Sequence, residues 1–207
     1  MRSFVLAFLA LVLVAITAVD GACSGSNARV TPPSGAIVVD ASGSYKNSVK
    51  TVSAGVAKLS SSTTSQQTIF ILPGTYREQV LISALNGPLV VQGYTCDTTS
   101  YSKNQVTITH TKALKDDPSG GDEKTSTLRL KGKNVKLYNL NIANPEGKIA
   151  SNGQALALYN DGSNYGFYAC SITGYQDTVC ANNGVQIFAK THISGATDFI
   201  FGQHAQA

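Results

Sequence analysis

Tryptophan is absent from the 207 residues, methionine occurs once and histidine three times. His110, His192 and His204 fall at no spacing that would build a metal site or a nucleophile triad. There is no phosphate-cradling glycine loop and no G-x-S-x-G elbow, which argues against nucleotide chemistry and the α/β-hydrolase route to acyl transfer. Charge is sparse at 14% of residues. Lys112, Lys115, Lys124, Arg129, Lys131, Lys133 and Lys136 are interspersed with Asp116, Asp117, Asp122 and Glu123, so no basic stripe offers a nucleic-acid surface. No N-x-[ST] acceptor occurs, and N-glycosylation of this stretch is not expected.

The one long apolar run lies at the front. Met1-Arg2-Ser3 precedes an apolar stretch over residues 4–18, and small residues follow to Ala22; this pattern predicts a secretory signal over residues 1–21. The run is short for a span of about 20 residues and lacks a basic stop-transfer flank, so no membrane association is expected after cleavage. Secretion makes Cys23, Cys96, Cys170 and Cys180 potential disulfide partners, and four cysteines allow three pairings. A local Cys170–Cys180 bridge and a pair of buried free thiols both remain open. The net charge of +4 and pI near 8.8 fit a protein that meets a polyanion outside the cell.

With 43% hydrophobic residues the chain can bury a sizeable core, as one domain or part of one. A Ser/Gly/Pro-rich lead-in occupies residues 22–35. Short strand candidates then follow at 36–40, 68–72, 79–82, 89–92, 106–109, 127–130, 135–142, 155–159, 165–172 and 185–193, punctuated by Gly, Asn, Asp and Pro. One helix is expected over 48–59, capped by Ser48, with Val49, Val52, Val56 and Leu59 on one face. The stretch Ile172-Thr173-Gly174-Tyr175-Gln176-Asp177 has an echo 21 residues later, Ile193-Ser194-Gly195-Ala196-Thr197-Asp198. Phe167 is answered by Phe188, and Thr178-Val179 by Phe199-Ile200. A β-rich period near 20 residues is one turn of a solenoid, and an echo in register favours a parallel β-helix over a β-sandwich. The helix then plugs the first turn, and Asn139, Asn141 and Asn144 suit its bends. Ala207 follows Asp198 by nine residues and leaves the last turn uncapped, so the chain is expected to be the N-terminal part of a longer protein.

Stacked turns lie about 4.8 Å apart, which sets Asp177 and Asp198 side by side on one face. Two carboxylates that close do not both ionise readily, and the pair separates into an acid and a base or nucleophile. Gln176 precedes the first aspartate and Gln154 sits one turn earlier; neutral amides there are suited to hold an oxyanion. The arrangement fits attack on an ester, with one aspartate as nucleophile and the other protonating the leaving alcohol. A retaining glycosidase uses a similar carboxylate pair and stays open on these residues alone.

Four blocks, Gly74-Thr75-Tyr76-Arg77-Glu78, Gly153-Gln154-Ala155-Leu156-Ala157-Leu158, Gly174-Tyr175-Gln176-Asp177-Thr178 and Asp198-Phe199-Ile200-Phe201-Gly202, resemble in order and spacing those of pectin methylesterases, fungal members above all. The resemblance runs from about Ser34 to the end. It implies a right-handed, single-stranded parallel β-helix over residues 36–207 that removes methyl esters from homogalacturonan, giving pectate and methanol without metal or cofactor; a monomer is expected. By motif, Asp198 is similar to the nucleophile, Asp177 to the acid and then base, and Gln154 and Gln176 to the oxyanion-hole amides. Thr127 resembles a substrate-contacting threonine, Phe199 and Tyr175 are placed to line a sugar groove, and Tyr76 and Glu78 to brace the fold. The chain lacks the family's Gly-Arg-Pro-Trp block, and none of Arg2, Arg29, Arg77 and Arg129 replaces its arginine. The alternatives are a β-helical pectin lyase or glycosidase, and a truncated fragment that binds pectin without turnover.

Overall fold

The computed structural model describes residues 23–148 and 151–206, so the signal peptide expected over residues 1–21 lies outside the described residues. Its strands are β1 (Ile37–Val39), β2 (Gln67–Ile71), β3 (Gly74–Arg77), β4 (Val80–Ile82), β5 (Leu89–Gly93), β6 (Val106–Thr109), β7 (Leu128–Tyr138), β8 (Asn141–Ala143), β9 (Leu158–Tyr168), β10 (Ser171–Thr173), β11 (Val179–Ala189), β12 (His192–Ser194), β13 (Ile200–Phe201) and β14 (His204–Gln206). All pairings between them are parallel. They wind into a right-handed parallel β-helix with three faces.

The first face holds β4, the leading halves of β7, β9 and β11, and β13. The second holds β1, β2, β5, the trailing halves of the same three long strands, and β14. The third is β3, β6, β8, β10 and β12. Gly132 and Gly162 face each other where β7 and β9 bend between the first and second faces. A side chain at Gly162 would drive into the carbonyl of Gly132, so the rungs approach closely only because no Cβ is there. Where the second face turns into the third, Asn139, Ala169 and Lys190 take left-handed conformations at φ 54°, 49° and 52° in successive turns.

The echo seen in the sequence is the register of the coil. Phe167 pairs with Phe188, Ile172 with Ile193 and Val179 with Ile200. Inward-pointing side chains therefore stack in columns, and the rings of Phe167 and Phe188 lie parallel at 4.7 Å. Residues such as Ile69, Val91, Leu137 and Phe167 continue this column as a buried core.

Three expectations change. The strand candidates 127–130 and 135–142 merge into β7 and the separate β8, because the bend at Gly132 keeps the ladder paired. The motif at Gly74–Arg77 is itself a strand. The helix α1 covers only Val52–Val56 and is capped by Thr51 rather than Ser48. Glu78 explains the late start: its carboxylate accepts from the amides of Val52 (2.7 Å) and Ser53 (2.9 Å), fixing the helix N-terminus from outside. Tyr76, buried, donates to the Leu72 carbonyl at 2.9 Å. Of the cysteines, Cys23 and Cys96 form a disulfide that straps the lead-in to the loop after β5, while Cys170 and Cys180 are buried free thiols.

Candidate active site

Each turn leaves the third face and re-enters the first through a short connection, residues 174–178 in one turn and 195–199 in the next. The connections are tied through their backbones. The amide of Gly174 donates to Ser194 O (3.1 Å), that of Asp177 to Thr197 O (2.9 Å) and that of Val179 to Phe199 O (3.0 Å). One turn earlier, the amide of Ala155 donates to Gln176 O (3.3 Å) and that of Ala157 to Thr178 O (2.9 Å). Asp177 and Asp198 both sit at positive φ, 61° and 44°, a left-handed conformation that aspartate accepts better than most residues. Thr178 sets the turn: it is fully buried, its hydroxyl donates to Ser194 O at 3.2 Å, and a Cβ on Gly174 or Gly195 would crowd that hydroxyl. The glycines of both echoes are packing requirements.

This stacking brings Asp177, Asp198, Gln154 and Gln176 together on one corner of the helix, the aspartates one rung of about 4.8 Å apart. Their environments differ. Asp177 is 6% exposed beneath the rung of Asp198, which is the last complete connection of the chain. Burial, then the charges of Asp122 and Asp198, push the Asp177 carboxyl up to about 6. The amides of Gln154 and Gln176 are half-buried, and among the described residues no hydrogen bond ties either one.

Asp122, whose charge acts on Asp177, is a neighbour of the candidate site that sequence reasoning missed. It opens a 3₁₀ turn, Asp122–Thr125, held against the active corner by a hydrogen bond from the Leu156 amide to Thr125 Oγ1 (3.0 Å). Thr125 Oγ1 in turn donates to the Asp122 carbonyl at 2.8 Å. In sequence it was one acid among several in a glycine-rich loop, a pattern shared by any solvated turn. Asn144 binds the same loop from below, its amide reaching the carbonyls of Lys112 (2.8 Å), Leu156 (3.0 Å) and Thr125 (3.2 Å). Of the other asparagines expected at bends, Asn139 holds one, while Asn141 lies within β8.

Two cavities flank the corner. One of about 350 Å³ is lined by Asp122, Glu123, Tyr159, Cys180 and Phe201 among others. The other, about 230 Å³, is lined by Asn144, Pro145, Thr173 and Tyr175 among others. Phe199 is 38% exposed. Burial, then the nearby carboxylates, push the Cys180 thiol and the Tyr159 hydroxyl up to about 12, which keeps both protonated and removes them as nucleophiles. Thr127 is placed differently from expectation. It has no exposed surface, and its hydroxyl donates to the carbonyls of Ala143 (2.9 Å) and His110 (3.3 Å). That hydroxyl is committed to bracing the coil, so Thr127 is not carried into the site.

The pectinesterase family model matches residues 36–207. The chain belongs to the pectinesterase family. A curated pectinesterase from Aspergillus niger is 50% identical over 199 residues, covering 96% of this chain and 56% of the relative. Among solved structures, the deglycosylated pectin methylesterase from Aspergillus niger superposes with a TM-score of 0.74 at 35% identity, over 84% of this chain and 57% of its own. A pectin methylesterase in complex with a hexasaccharide matches at a TM-score of 0.67 and 28% identity, over 84% of this chain and 54% of its own. The chain spans about half the length of the curated relatives it matches.

Proposed function

We propose that this protein hydrolyses the methyl esters of homogalacturonan, turning pectin and water into pectate and methanol. The observation that carries the reading is the stacking of Asp177 and Asp198 on successive rungs with Gln154 and Gln176 on the same corner, Asp177 being the buried member whose carboxyl is pushed up to about 6. Asp198 attacks the ester carbonyl, and the amides of Gln154 and Gln176 hold the resulting oxyanion. As the intermediate collapses, the methoxy oxygen takes the proton of Asp177 and leaves as methanol. The Asp177 carboxylate then draws a proton from water, which attacks the acyl carbon; the galacturonate departs and Asp198 is restored. Phe199 and Tyr175 border the groove that receives the polymer.

Family membership and the hexasaccharide held by a related structure support pectin as the polymer. The protein acts outside the cell, delivered by the segment 1–21, as a monomer and without metal or cofactor. Among the described residues no helix is long and apolar enough to cross a membrane. The test is methanol release from highly methylated pectin by the 207-residue chain, and by the same chain continued to the length of its relatives. Methanol release with unchanged polymer length supports the esterase. Falling viscosity without methanol identifies a lyase or glycosidase, and pectin binding with neither change identifies a non-catalytic binder.

A further inference from the structure

A second groove lies on a different corner, where the second face turns into the third. It encloses about 590 Å³ and is lined by residues of four successive turns: Gln92 of β5, Tyr138 of β7, Tyr168 of β9 and Ala189 of β11. Three rung spacings of about 4.8 Å make it roughly 14 Å long, running parallel to the helix axis. Its floor is an aromatic pair. The rings of Tyr138 and Tyr168 stack at 4.8 Å with 15° between their planes. Tyr168 leans over Gly166, where a Cβ would meet its Cε2 at 2.5 Å, so the ring's position depends on the missing side chain. The next residue in the column is the small Ala189, which leaves the far face of Tyr168 uncovered by a bulky neighbour.

Cations frame the rings. Arg29 and Lys190 line the groove, both exposed, and Lys136 stands two residues before Tyr138 on the same outward side of β7. Among the described residues none of the three is in an ion pair. The acid nearby, Asp97, accepts from the amide and hydroxyl of Thr99, each at 2.8 Å, within its own turn, and its charge also attracts Lys190 and Lys103 without a direct ion pair. The disulfide Cys23–Cys96 ties down both strands of chain that supply Arg29, Thr98 and Thr99.

We propose that this groove is a second binding site for a de-esterified galacturonate segment, the anionic product of the proposed reaction. The inference rests on the pectinesterase reading for the identity of the polymer. The far face of Tyr168, left open by Ala189, attracts the polarised C–H face of one sugar ring, and a linear chain of carboxylates matches cations spaced along an axial groove. Neutral methylated pectin lacks the carboxylates, so the site prefers polymer that has already been processed and holds it while the active corner, one face away, reaches ester that remains.

The test is calorimetric titration of the 207-residue chain with a fully de-esterified galacturonate oligomer, beside a fully methylated oligomer of the same length. The expected result is binding of the de-esterified oligomer that Lys190→Glu weakens at least about fivefold, since the change removes one exposed ion pair and adds a repulsion. Tyr168→Ala weakens it comparably, and Tyr168→Phe, which keeps the ring, preserves it. Thermal unfolding of each variant checks that the coil is intact. Binding indifferent to Lys190→Glu and Tyr168→Ala, or equal for the two oligomers, overturns the proposal. Absence of methanol release with this binding pattern retained would instead count against the esterase reading alone.

Discussion

At the scale of single residues the two aspartates are chemically unequal although the sequence writes them alike. Asp198→Asn should lower methanol release about ten-thousand-fold, the scale expected when a nucleophile is removed, read as kcat on methylated pectin. In the proposed mechanism Asp177 must be protonated to release the alcohol. Its carboxyl sits at about 6, so activity should fall as pH rises through that value. Asp122 contributes to that position by repulsion, second to burial; Asp122→Asn should shift the falling limb of the pH–rate profile to lower pH. Stability carries the same sign. A carboxyl at 3.8 in the unfolded chain and about 6 in the folded one means that folding retains a proton the unfolded chain gives up. The folded state is penalised progressively between those pH values and fully above them. Asp177→Asn, which cannot ionise, should therefore stabilise the fold at pH 7 by on the order of 3 kcal/mol and change little below pH 4, measured by urea unfolding at both.

At the scale of elements, hydrophobic patterning located most strands but broke the long ones at their glycines. Gly132 and Gly162 read as turn residues in one dimension, yet the ladder of β7 and β9 stays paired through the bend they make. The reason is a close backbone approach, which leaves no mark in hydrophobic patterning. Gly162→Ala should cost more than about 2 kcal/mol, since its Cβ would meet a backbone carbonyl that cannot swing aside; chemical denaturation reads this directly. The helix α1 shows the converse. Val49, Val52, Val56 and Leu59 have helical spacing, but the first of them lies before the helix because Glu78, from the end of β3, caps the amides of Val52 and Ser53.

At the scale of the whole molecule, the coil is a stack in which each turn buries the apolar residues of the next. Phe167 occupies the middle of such a column, fully buried and stacked on Phe188. Phe167→Ala should cost about 3–5 kcal/mol by opening a cavity between rungs, measurable as a lower midpoint with the unfolding slope unchanged.

The sequence by itself determined the 21-residue repeat of the last turns and its register, the stacking of Asp177 with Asp198, and the family. These are legible because a solenoid converts distance along the chain into stacking: residues one period apart become neighbours, and a repeat in the letters is a repeat in space. The tertiary structure alone decided which aspartate is buried, that Asp122 stands over it, that Thr127 is sealed inside, and that Cys23 joins Cys96 across 73 residues. Those properties depend on loops and lead-ins that obey no period. Burial and charge are sums over neighbours brought in from distant parts of the chain, and no local pattern encodes such a sum.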